Sequence, residues 1–206
     1  MKKFILVLAG LAMSGVAMAG ASSFAEFALV TGGENNARNS GGKENGFEFA
    51  GAWAFNDNWY IGGVAGEYDQ RDAREWTYFD INGGYVKNLS PKTDLTLEGG
   101  FWFGENTQSG TPKRKPKVLE AKAGISTMVA DNFSVFGTLS LVGGDTDDTD
   151  DTDDGTSNED ISNLVYSLGG AYSFTDAISM NVKLVNGVNG VNGQDEVLRI
   201  GGRWTF

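Results

Sequence analysis

The last eleven residues of the chain read Glu196-Val-Leu-Arg-Ile-Gly-Gly-Arg-Trp-Thr-Phe206. Leu198, Ile200, Gly202, Trp204 and Phe206 occupy alternate positions, and Val197, Arg199, Gly201, Arg203 and Thr205 fall between them. A period of two, with one apolar and one polar face, marks a strand that faces two different media. The stretch also ends on an aromatic residue, which an ordinary edge strand has no reason to require.

At the opposite end, Met1-Lys2-Lys3 is basic, residues 4–16 are apolar with only Gly and Ser interruptions, and Ala17-Met18-Ala19 fits a small-x-small cleavage site. Residues 1–19 therefore read as a secretory signal peptide, and residues 20–206 as one domain. Nothing downstream approaches the ~20 consecutive apolar residues that a transmembrane helix needs. A membrane-embedded form of this chain has to be a closed barrel.

Composition agrees with that reading. The chain has 30 Gly, only 3 Pro and 12% aromatic residues, and its average is slightly hydrophilic. A membrane barrel hides in this way, because its lumen-facing half dilutes its lipid-facing half. There is no Cys, which excludes disulfides and thiolate metal sites. The formal net charge of −11 becomes more negative once Lys2 and Lys3 are removed, so nucleic acid is not an expected partner.

Working back from the terminus, the chain is a series of hairpins. Alternating runs flank short polar turns at Asn56-Asp57-Asn58, Ser90–Asp94, Asp131-Asn132 and Thr175-Asp176, as hairpins require. Longer polar stretches, 32–45, 69–75, 105–116, 145–160 and 186–195, separate the units. The runs number ten: 23–32, 46–55, 59–68, 76–89, 95–104, 117–130, 133–143, 161–174, 178–186 and 196–206. Most are near the ~9–11 residues needed to cross a bilayer. The expected fold is all-β: a closed antiparallel transmembrane β-barrel, an up-and-down meander of about ten strands. Eight is the alternative if the weakly patterned third run or the short ninth does not form. Short turns belong on the periplasmic side and long loops outside.

The alternation assigns the two faces. Phe47, Phe49, Trp53 and Phe55 point one way, as do Leu95, Leu97, Phe101 and Phe103, and Leu164, Tyr166, Leu168, Tyr172 and Phe174. Phe55, Tyr85, Phe133, Tyr172, Phe174, Trp204 and Phe206 suit an interfacial aromatic girdle. In the opposite phase lie Glu48, Asp80, Glu98, Glu120, Lys122, Lys183, Arg199 and Arg203, with Glu26 and Glu67 on strands of ambiguous phase. Inside a narrow barrel such charges have to pair or stay wet. Counting residues up from the turn end puts Glu98 level with Arg203 and Glu48 level with Arg199, which predicts cross-lumen ion pairs between them.

Residues 145–160 contain nine acids and no base. Asp147, Asp148, Asp150, Asp151, Asp153 and Asp154 offer hard oxygen ligands, so weak Ca²⁺ or Mg²⁺ association is a candidate property. The EF-hand spacing fails, because aligning Gly155 with its glycine puts Thr152 and Ile161 where carboxylates belong. Low complexity and self-repulsion favour a solvated loop. No other cofactor is expected.

The signal peptide, the repeated hairpins and the terminal Arg203-Trp-Thr-Phe206 together resemble small bacterial outer-membrane barrels of the opacity-protein, OmpX/Ail and OmpA-transmembrane kind. That resemblance implies an outer-membrane location. It also implies recognition of Trp204 and Phe206 by the barrel-assembly machinery, and lipid, lipopolysaccharide or an extracellular ligand as partners. Enzymatic barrels of this architecture rely on a His, and this chain has none, so an enzyme is not expected. Two functions remain: a structural or surface-interaction barrel with a charge-filled lumen, and a small-solute porin-like channel.

Overall fold

A computed structural model describes residues 21–32, 44–70, 74–108, 113–149, 159–187 and 197–206. Ten strands follow one another without a helix among them: β1 (Phe24–Gly32), β2 (Glu44–Ala54), β3 (Trp59–Gln70), β4 (Arg74–Ser90) and β5 (Thr93–Gln108). The second half continues with β6 (Lys113–Ala130), β7 (Phe133–Thr149), β8 (Glu159–Ser173), β9 (Ile178–Gly187) and β10 (Val197–Thr205). Each pairs antiparallel with its chain neighbours, and β1 pairs with β10 from Phe24↔Thr205 to Gly32↔Val197, closing the barrel. The third and ninth runs both form, so the count is ten and the eight-strand alternative falls.

Side chains fix the short turns. Asn56 Oδ1 accepts the N–H groups of Asn58 and Trp59, each at 2.9 Å. Thr175 Oγ1 does the same for Ala177 and Ile178, at 3.2 and 3.0 Å. Local polar acceptors of this kind replace ladder bonds where the chain reverses. At this turn end the two chain ends of the barrel are tied together, Phe206 N–H donating to the Ser23 carbonyl at 3.0 Å.

At the other end, four arms are longer than the alternation predicts. β5 runs to Gln108, β6 starts at Lys113, and β7 and β8 reach Thr149 and Glu159, where loops over 105–116 and 145–160 were expected. Polar sequences there pair as strands because a ladder needs backbone groups, whatever the side chains. The β5–β6 ladder skips from Phe103↔Lys117 to Asn106↔Arg114. Pro116 lies in that gap, and proline has no N–H to give a ladder. Residues 1–19, which the sequence reads as a signal peptide, and residues 150–158 lie outside the described residues, as do the side chains of Asp147 and Asp148.

The outer surface is apolar. Phe47, Phe49, Trp53, Phe101, Leu119, Leu139, Leu168, Leu184 and Ile200 are all exposed on it. Trp59, Phe133, Tyr172, Phe174, Trp204 and Phe206 crowd the turn end of the same surface. No soluble monomer tolerates a continuous apolar belt of this extent, whereas a hydrocarbon layer requires one.

Two apolar clusters sit inside. Phe24, Ala52, Tyr60 and Val86 pack together near the turns, with Ala21 and Ala54 against them. Val30, Tyr68 and Val197, with Tyr78 and Val185, pack near the loop end. Tyr60 lies flat against β4 because position 84 is glycine: a Cβ there would come within 2.0 Å of the Tyr60 hydroxyl.

Two outcomes test this fold. The processed protein should give a β-type circular dichroism spectrum in detergent micelles and migrate differently on gels before and after boiling. Full solubility without detergent would contradict it. Gly84→Ala should push Tyr60 off the wall, and overpacking of this kind costs ~1–3 kcal/mol, read by denaturant titration in micelles.

Candidate functional site

The charged residues lie between the two apolar clusters, on the inward phase of the strands. Charge cannot stay bare in so narrow a space, and the side chains resolve it in three groups.

The first centres on Glu48 of β2. Its Oε1 lies 2.9 Å from Arg199 Nη2 and accepts hydrogen bonds from the Tyr68 and Tyr78 hydroxyls. The two phenol rings stack at 5.4 Å and 5°, and Arg199 also donates to the Tyr68 hydroxyl at 3.4 Å. One carboxylate thus ties together side chains of β2, β3, β4 and β10. Tyr78 lies close over Gly66, where a Cβ would meet its ring at 2.3 Å.

The second group joins β1 to β10. Arg203 Nη2 is 2.6 Å from Glu26 Oε2, and its Nε donates to the same oxygen at 2.8 Å. The guanidinium sits 3.8 Å from the centre of the Phe24 ring, an added cation–π contact. The third group is a fork on β6. Lys122 Nζ reaches Glu98 Oε2 at 3.1 Å and Glu120 Oε2 at 3.4 Å, while the Tyr60 hydroxyl donates to Glu98 Oε1 at 2.6 Å.

Glu48, Asp80, Glu98 and Arg203 are buried in the wall, and Glu120, Lys122, Lys183 and Arg199 are half-buried. Glu48 and Arg199 are brought together. The Glu98–Arg203 pair predicted from level counting is replaced by other partners: Glu26 takes Arg203, and Lys122 and Tyr60 take Glu98. Strands in a barrel tilt by ~35–45°, so equal distance along the chain is not equal height. Glu67 is exposed on the outer face of β3, where it pairs in register with Phe47; it does not belong to the lumen. Asp80 pairs in register with Val64 and Trp102; it lies in the field of Lys122, Glu120 and Glu98 and is hydrogen-bonded to Asn82, beside the third group.

Three lumen tyrosines escaped sequence reasoning: Tyr60, Tyr68 and Tyr78. A tyrosine suits an interfacial girdle and a wet interior equally well, and only the phase of Gly62, Val64 and Gly66 between Tyr60 and Tyr68 carried the information. Trp204 and Phe206 point outward, rings 5.3 Å apart. Among the described residues no cluster of three or more acidic side chains is arranged to hold a metal ion. Asp150, Asp151, Asp153 and Asp154 lie outside them.

Glu26 and Arg203 have side chains only 7% and 3% exposed. Removing one partner of a buried pair costs ~3–5 kcal/mol. Arg203→Ala should therefore destabilise the barrel by that order in micelle denaturation, and adding Glu26→Gln should restore part of it. Adding Glu98→Gln instead should restore nothing.

No protein-family model matches the sequence, and no curated protein sequence matches it. Among solved structures, the chain is similar to an outer-membrane channel from Pseudomonas putida F1, with TM-score 0.58 and 12% identity over 94% of this chain and 100% of that one. The NanC porin follows at TM-score 0.49 and 9% identity, over 90% and 100% of the two chains. At 12% identity what is shared with the Pseudomonas putida channel is the fold: a closed barrel of the outer-membrane type.

Proposed function

We propose that this chain is an integral barrel of a bacterial outer membrane, with its lumen closed by its own side chains and its work done at the loop end. The observation that carries this reading is the state of the interior charges. Glu48, Glu98 and Arg203 are each less than a tenth exposed, engaged by neighbours, and held between two apolar clusters. An open aqueous pore leaves its lining charges wet; here they are largely withdrawn from solvent.

The apolar belt and its aromatic end support membrane insertion, and the fold likeness to an outer-membrane channel agrees. Residues 1–19 would direct export, and the terminal Trp204–Phe206 pair would be read by the barrel-assembly machinery. The sequence 145–160 carries nine acids and no base, and β7 and β8 lead into it from the loop end. Solvated carboxylates, weak divalent cations and lipopolysaccharide phosphates bridged by them are the chemistry available there.

A narrow conduit is the second reading. Lys122 and Arg199 keep side-chain exposures of 16% and 18%, so part of the interior is wet. Planar-bilayer conductance separates the two: the closed-lumen reading predicts near-zero wild-type conductance that rises in Arg199→Ala. A high, steady wild-type conductance would establish the conduit instead. Deleting Phe206 should impair assembly into the outer membrane and leave export to the periplasm intact; normal assembly would remove the role given to the terminus.

A further inference from the structure

The three paired groups do not use every polar atom of the lumen. On the wall made by β9 and β10, Arg199 directs Nη2 to Glu48 and Tyr68, and its buried Nε has no acceptor. Directly opposite it in register stands Lys183, which forms no ion pair among the described residues. Two residues along on the same face is Asn181, 2% exposed, whose amide Nδ2 also lacks an acceptor. Its register partner is Gly201, and the space over that glycine is bordered by the Asn181 amide itself and by a Glu26 carboxylate oxygen. A Cβ at Gly201 would come within 3.2 Å of the Asn181 amide and 3.0 Å of Glu26 Oε1.

This patch is costly as it stands. Like charges directly opposite one another on adjacent strands destabilise a sheet, and a buried amide donor without an acceptor loses the hydration it had in the unfolded chain. The nearest carboxylates have other partners: Glu48 is held by Arg199, Tyr68 and Tyr78, and Glu26 takes both Arg203 nitrogens on Oε2. Lys183 lies in the field of Glu48, Glu26, Arg199 and Lys122, and none of these neutralises it by contact.

We propose that Lys183, Arg199 and Asn181 form a binding site for one small oxyanion of the carboxylate or phosphate class, held on the β9–β10 wall of the lumen. Such an anion accepts from the Lys183 ammonium, the Arg199 Nε–H and the Asn181 amide at once. Its charge balances the lysine that the protein leaves unpaired. Charge-assisted bonds of this kind are stronger than neutral ones. The site would equally serve a closed chamber or a conducting lumen, so its test is independent of conductance.

The test uses the folded, processed protein in detergent micelles, titrated with sodium phosphate or sodium acetate against chloride at constant ionic strength. Binding is read from the NMR resonances of the Asn181 side-chain amide and the Arg199 Nε–H. Saturable shifts with either anion are expected, at least tenfold weaker in Lys183→Met and unchanged within twofold in Lys92→Met, a substitution in an exposed turn. Asn181→Asp, which puts a carboxylate of the same size in the site, should abolish them and serves if Lys183→Met does not fold. Shifts that fail to saturate, that chloride reproduces, or that survive both substitutions would overturn the proposal.

Discussion

The interior hangs on the Glu48 carboxylate. Closing ten strands into a cylinder turns half of all side chains toward a narrow lumen, and a charge there is tolerated only with partners. Glu48 finds three of them, on three different strands: the Arg199 guanidinium across the seam and the Tyr68 and Tyr78 hydroxyls. These groups stand on β2, β3, β4 and β10, with β1 lying between β10 and β2. The same carboxylate therefore helps to hold β10 in place at closure, and the Arg203–Glu26 pair repeats the arrangement one level nearer the turns. Glycine at position 66 completes the junction by letting the Tyr78 ring lie against the wall.

The barrel is not uniform around its circumference. The seam half, β1–β4 with β9 and β10, carries both apolar clusters, the stacked phenols and two of the three ionic groups. The opposite half relies on the Lys122 fork and on hydroxyl contacts such as Thr138–Ser167 at 2.7 Å and Thr93–Thr127 at 2.9 Å. Neutral hydrogen bonds of this kind contribute only ~0.5–1.5 kcal/mol each. The opposite half compensates with length, because β5–β8 run to 15–18 residues against 9–12 in every seam strand but β4.

The period of two in Glu196–Phe206 was legible as a strand with two environments, and the same period repeated nine times upstream placed the strands to within a few residues at their turn ends. Side-chain phase was legible where one face is strongly apolar, as on β2, β5 and β8. It failed on β3, where Gly62, Gly63, Ala65 and Gly66 leave no contrast and Glu67 had no phase. Partner choice was hidden for a different reason. Which charge meets which depends on register between tilted strands, a property of the closed cylinder, and so Arg203 meets Glu26 on the strand beside it while Glu98 meets Lys122. The loop-end extension of β5–β8 left no hydrophobic trace either, since strands above an apolar belt have solvent on both sides.

In the proposed function these side chains close the lumen to solutes. The chain contains no cysteine, so a single Ser140→Cys is a clean probe: Ser140 is 2% exposed and sits beside Lys122 in register. A charged, membrane-impermeant methanethiosulfonate reagent applied to the folded barrel should leave Cys at that position unmodified, and should label it fully once urea unfolds the protein. Rapid labelling of the folded barrel would show an open, wet lumen and contradict a closed one.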